Sequence, residues 1–201
     1  MLSICFYLYT DFSILTIDTF MPILPVYVYN HPILKHKAES LTAITPEIIS
    51  FVEDMFETMY HANGIGLAAN QVGSSLPIFV VDITGAEDDT QHERKVFINP
   101  EIISFSDQKA EYEEGCLSVP DLRDYVDRPL KIIVKYRDIN FNEITEEYDG
   151  LMARVIQHET DHLNGIYFFE RLSSIRRTLL SSKLKKIQRG QFKASYKTVL
   201  P

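Results

Sequence analysis

The sequence predicts an α+β domain: antiparallel or mixed sheets packed around a central metal-binding helix, followed by a C-terminal helix. Two observations lead there. Helical periodicity is confined to three stretches, and the short apolar or alternating runs between the first and second read as strands, so helices and strands are segregated rather than alternating. The composition, 45% apolar and 24% charged over 201 residues, is that of an ordinary globular chain. Such a length fits one domain and buries roughly 70% of the surface the unfolded chain would expose.

In order along the chain, residues 1–10 are uncharged and mostly apolar. A secretory signal would need a basic start and a small-residue cleavage site, and Asp11 and Asp18 interrupt the run. It is also too short to span a bilayer. Residues 1–20 therefore read as an extension from a start assigned too early, with Met21 as the natural beginning; an apolar anchor or extra strand is the alternative. Residues 26–34 look extended, because Pro25 and Pro32 forbid a long helix. Thr45-Pro46-Glu47 marks a helix start: a cap, a proline in the first turn and an acid near the positive end of the dipole. Ile48, Ile49, Val52, Met55, Phe56, Met59 and Tyr60 then recur at helical spacing, and Asn63-Gly64 ends the run.

The segment Gly64-Ile65-Gly66-Leu67-Ala68-Ala69-Asn70-Gln71 lets backbones or a ligand approach closely, but it follows a helix and lacks dinucleotide-loop spacing. Strands are expected at 78–83, at 96–105 with a break at Pro100, and at 110–119. A hairpin is expected across Asp138-Ile139-Asn140, and a short strand at 166–169. Gly150 precedes the central helix and Asn164-Gly165 ends it; Ser173 or Ser174 caps a last helix reaching about Ile187.

The net charge of −8 argues against a general nucleic-acid binder. It conceals an asymmetry: residues 171–201 hold nine Lys or Arg and no acid, which leaves −17 on residues 1–170. A basic tail on an acidic body suits an anionic surface, or else is a solvated helix end. Two cysteines exclude a disulfide framework and point to a reducing, cytoplasmic setting.

The chemistry concentrates in Gln157-His158-Glu159-Thr160-Asp161-His162-Leu163. Histidines four apart share a helix face, so both rings can reach one metal ion, with Glu159 beside its water. Two surface histidines would be the plain alternative. The third ligand is not downstream in the manner of zinc peptidases: no His follows His162, and Glu170 is the only later acid. Cys116, as a thiolate, is the better candidate. His31, His36, His61 and His92 stand in polar company outside these motifs.

Taken together, the Gly64–Gln71 segment, Glu114-Gly115-Cys116-Leu117-Ser118 and Gln157–Leu163 resemble the three signature segments of peptide deformylases, in the family's order and near its spacing. Pro120-Asp121-Leu122-Arg123 and Arg128-Pro129 extend the resemblance over about residues 21–180. Asn70 departs from it, standing where Pro or Thr is usual.

The resemblance implies a catalytic domain over 21–172 followed by a basic helix and tail over 173–201. It implies an enzyme that removes the formyl group from N-terminal formyl-methionine of nascent peptides. Cys116, His158 and His162 would hold one divalent metal. The donor set accepts zinc, nickel or cobalt, and the family points to iron(II). Glu159 would be the general base and then the acid; Gln71 and the Leu117 N–H would donate to the oxyanion. Ile65, Leu67 and Val155 would line a methionine slot, Ile65 and Gly66 would pair with peptide backbone, and Arg123 and Arg154 would meet peptide carbonyls at the mouth. The basic tail would contact ribosomal RNA; DNA and membranes are not expected partners.

Overall fold

The computed structural model describes residues 22–84 and 94–201. The expected extension over 1–20, the acidic stretch Glu87-Asp88-Asp89 and His92 lie outside them. Strand β1 (Val26–Tyr27) leads through a 3₁₀ turn to helix α1 (Pro46–His61). Strands β2 (Gly66–Ala68), β3 (Ile78–Val81), β4 (Lys95–Phe105), β5 (Lys109–Cys116), β6 (Val119–Pro129), β7 (Lys131–Arg137) and β8 (Glu143–Asp149) follow. Helices α2 (Gly150–Leu163) and α3 (Ser174–Gln188) and strand β9 (Thr198–Val199) complete the chain. The main sheet is antiparallel, in the order β2-β3-β4-β7-β8; β5 and β6 form a separate hairpin, and β1 pairs with β9 in parallel.

Helix α1 begins where expected. Thr45 Oγ1 accepts the Ile48 N–H at 3.4 Å, and Asn63 ends the helix in the left-handed region. All four residues of β3 are buried because helices cover both faces. Phe79 and Val81 pack with Met152, Ala153 and Ile156 of α2, whereas Ile78 and Val80 pack with Val52, Met55, Phe56 and Met59 of α1. A third cluster gathers Leu122, Val126, Tyr167 and Phe168 beneath Leu184 and Ile187 of α3. Helix α2 is therefore enclosed by the sheet, the β5–β6 hairpin and the 167–169 segment.

Three local expectations change. Residues 166–169 are not a strand: Phe168–Arg171 is a 3₁₀ turn, because the Glu170 carboxylate reaches back to the Tyr167 N–H at 2.9 Å. Residues 26–34 are extended only at first, and Pro32–Lys35 forms another 3₁₀ turn. The break at Pro100 is a bulge inside one continuous strand, with Ile98 opposite Arg137 and Glu101 opposite Lys135. A bulge tolerates a residue that lacks an N–H. Strand β6, over Val119–Pro129, was not anticipated at all.

Candidate active site

The site forms where α2 meets the β5–β6 turn. Helical spacing puts the His158 and His162 rings on one face, with centroids 5.0 Å apart. The two-residue turn Leu117-Ser118 delivers Cys116 to them: its Sγ lies 3.1 Å from His162 Nε2. One ligand atom from each of Cys116, His158 and His162 lies within 4.8 Å of the others.

Glu114 fixes one of these rings. Its Oε2 accepts from His158 Nδ1 at 3.0 Å, which leaves Nε2 to face the cluster. Its Oε1 accepts from Arg128 Nε at 2.6 Å and Arg154 Nη1 at 2.8 Å. Burial opposes a charge on Glu114, but the hydrogen bonds from His158 and Arg128 and the Arg128 charge outweigh it and hold the carboxyl down at about 2. Arg128 also donates to Asp161 at 2.8 Å, so one buried network ties α2 to the hairpin.

Burial, and the positive charge of His158, push His162 well below its usual range, into the neutral form that ligates. Burial opposes a charge on His158 as well; hydrogen bonds to Cys116 and Glu114 and the charge of Glu159 prevail and raise it to about 10. A ring that holds this proton cannot ligate, so an ion bound at the cluster would displace it from His158 Nε2. With two imidazoles, one thiol and a carboxylate behind the first ring, the donors fit a divalent metal ion.

Glu159 is 4% exposed, and its Oε2 has no hydrogen-bond partner. Burial pushes its carboxyl up to about 7, with Glu114 adding to the rise and His158 and Arg128 opposing it. Space for it exists because residue 66 is glycine: a Cβ there would stand 2.5 Å from Glu159 Oε1 and 2.7 Å from Val155 Cγ1. The Gln71 amide has a fixed orientation. Its Oε1 accepts the Ala68 N–H at 2.8 Å, so its Nε2 points to Cys116 Sγ at 3.6 Å and Ser118 Oγ at 3.3 Å. Asn70 is buried beside it and donates to the His162 carbonyl, helping to hold the end of α2.

A cavity of about 810 Å³ opens onto these groups. Ile65, Gly66, Leu117, Arg123, Arg154 and Val155 border it. Two expectations are corrected. Leu67 does not line a slot: it is fully buried and packs beneath α1, because neighbouring residues of β2 point to opposite faces. Arg154 does not reach out from the mouth. It is 8% exposed, with donors committed to Glu114, the Val126 carbonyl and the Ala110 carbonyl. Arg123 stays exposed beside Glu113 at 3.7 Å.

Sequence reasoning missed Glu114 and Arg128 as parts of the site. The available signal was an acid two residues before the candidate ligand Cys116, and an arginine within a run of mixed apolar and charged residues. It also missed Leu151 and, from the C-terminal segment, Lys183, Lys193 and Tyr196, which border the same cavity.

Two imidazoles and a thiol converging beside a buried carboxylate and a fixed amide donor are the furniture of a mononuclear metal hydrolase. The polypeptide deformylase family model matches residues 23–178. A peptide deformylase of Christiangramia forsetii is 41% identical over 89% of this chain and 96% of its own length; one from Salinibacter ruber is 43% identical over 88% and 94%. The crystal structure of a peptide deformylase from Legionella pneumophila superposes with a TM-score of 0.75 at 38% identity, covering 85% of this chain and 98% of that one. The structure from Thermotoga maritima gives 0.70 at 38% identity over 76% and 99%. The chain belongs to the polypeptide deformylase family.

Proposed function

We propose that this chain hydrolyses the formyl group from the N-terminal formyl-methionine of newly made polypeptides, releasing formate. The observation that carries this reading is the Gln71 amide, held by Ala68 and aimed at Cys116. It brings the glycine-rich segment, the hairpin turn and the paired-histidine helix to one point.

Cys116, His158 and His162 would hold the divalent ion. When bound, it supplies Lewis acidity that makes water nucleophilic near neutral pH. Glu159 takes the proton that the attacking water loses. As the carbon–nitrogen bond breaks, Glu159 delivers that proton to the departing amine. Its raised carboxyl suits both tasks, since a pKa near the working pH serves acceptance and return alike. Gln71 Nε2 and the Leu117 N–H donate to the oxygen on which charge develops. Strand β2 is an edge of its sheet, so peptide backbone can add beside Ile65 and Gly66. Val155 and Ile65 give the methionine side chain apolar walls, and Arg123 is the cation available to peptide carbonyls.

The finer assignments follow the same reading. Iron(II) is the working ion, tested by elemental analysis after anaerobic purification. The enzyme works in the cytoplasm; no helix among the described residues is long and apolar enough to cross a membrane. The exposed Lys185, Lys186 and Arg189 on and just after α3 meet ribosomal RNA. Because α3 buries Leu184 and Ile187, charge reversal of those three side chains, read by ribosome co-sedimentation, is the suitable test. Undiminished co-sedimentation would remove that contact.

Formate release from a formyl-methionyl peptide tests the main reading. An endopeptidase, the competing use of a paired-histidine helix, would instead cut an internal bond and would tolerate Cys116→Ala. A deformylase loses its metal with that change.

A further inference from the structure

The segment after α3 does not leave the body of the protein. Gly190 turns it back, and Phe192 packs into the cluster beneath α3. The Lys193 N–H donates to Asp121 Oδ2 at 2.9 Å. A few residues later the Val26 N–H donates to the Lys197 carbonyl and the Val28 N–H to the Val199 carbonyl, both at 2.9 Å. The segment is thus a strap fastened on both sides of Tyr196. Between those fastenings Tyr196 borders the cavity, and its Oη donates to the Leu117 carbonyl at 2.8 Å.

That carbonyl belongs to the middle peptide of the Leu117-Ser118 turn. Two of the turn's other polar groups are held from elsewhere: the Ser118 carbonyl by the Tyr29 N–H at 2.7 Å, and Ser118 Oγ by Gln71 Nε2. The middle peptide of a two-residue turn can rotate while the flanking strands stay paired, because its rotation is absorbed by the two bonds beside it. Holding its oxygen fixes that rotation, and with it the Leu117 backbone between the ligand Cys116 and Ser118. Burial, and the nearness of Cys116 and Asp121, push the Tyr196 phenol above its usual range, so it stays a donor at physiological pH.

We infer that Tyr196 is a positioning residue for the Cys116–Leu117–Ser118 turn and that the 191–201 strap is a working wall of the catalytic cleft. The inference rests on the deformylase reading for its kinetic consequence and on geometry alone for its structural one.

Tyr196→Phe in the full chain removes only the Oη. Two readouts separate the claims. Amide hydrogen exchange at Leu117, Ser118 and Val119 should quicken by about tenfold, the scale set by one lost hydrogen bond. With a formyl-methionyl peptide, kcat should fall about tenfold with KM within about twofold, at unchanged metal content and a Tm lowered by no more than about 4 °C. Unchanged exchange overturns the inference. So does faster exchange with unaltered kcat, which would make the contact mere packing, and so does a rise in KM alone, which would make Tyr196 a substrate contact. Should the wild-type chain release no formate while exchange in the variant quickens, the reading of the activity fails and the positioning of the turn stands.

Discussion

Glu114 Oε2 lies 3.0 Å from His158 Nδ1, and its other oxygen takes Arg128 and Arg154. One carboxylate therefore orients a candidate metal-binding ring and accepts from two buried guanidinium groups. Glu114→Gln should weaken metal affinity by about 10- to 100-fold, the range for a group that orients a ligating histidine. It should also destabilise the fold by about 1–3 kcal/mol, because Arg128 loses one of its two buried carboxylate partners and keeps Asp161. Chelator competition and thermal unfolding measure the two effects separately; an unchanged affinity would show that the ring needs no such support.

Gly66→Ala tests how closely β2 approaches the base. The added methyl would meet Glu159 Oε1 at 2.5 Å and Val155 Cγ1 at 2.7 Å, closer than carbon atoms tolerate. Glu159 must swing aside, and a displacement near 1 Å lowers turnover by about 100-fold. Steady-state kinetics together with elemental analysis should show that loss at full metal loading.

Glu159→Gln keeps the shape and removes the proton acceptor. Turnover should fall by about 100- to 10,000-fold, the usual worth of a positioned acid–base group. Metal content should match that of the unaltered chain, since the candidate ligand atoms belong to Cys116, His158 and His162. Loss of metal in this variant would reassign Glu159 as a ligand.

Gln71→Glu should lower kcat by about 100- to 1000-fold while metal content holds, because a carboxylate near the developing oxyanion repels it where an amide donates. The Ala68 N–H would still hold one oxygen of the new side chain. Near-normal turnover would remove Gln71 from the oxyanion site.

The three helices were readable because their signals are local: Thr45-Pro46 and Ser173 are caps, and His158 and His162 announce a face. Strand β6 was not readable, for a tertiary reason. Its inward positions alternate as Leu122, Asp124, Val126 and Arg128, all buried, so half of the core-facing side chains are charged. They are tolerated because Asp124 meets Arg176 at 2.8 Å and Arg128 meets Glu114 and Asp161, partners that no local pattern reveals. Arg154 was misplaced for the same reason, since the acid that draws it inward lies forty residues earlier. Leu67 was misplaced because a strand of three residues is too short to show which face is which. The candidate ligands were readable as residue types; that the Leu117-Ser118 turn is held by Tyr29, Gln71 and Tyr196 could be seen only in three dimensions.

Those three holders also set a timetable. On a ribosome, Tyr29 emerges early, Gln71 next, the turn itself later, and Tyr196 after α2 and α3 have been made. The turn beside the candidate ligand Cys116 gains its last support only when synthesis has passed residue 196. Premature release products, or chains nicked between α3 and the strap, would carry the candidate ligands without the finished turn. If Tyr196 positions the turn as proposed, full competence depends on the strap as well as on the motifs.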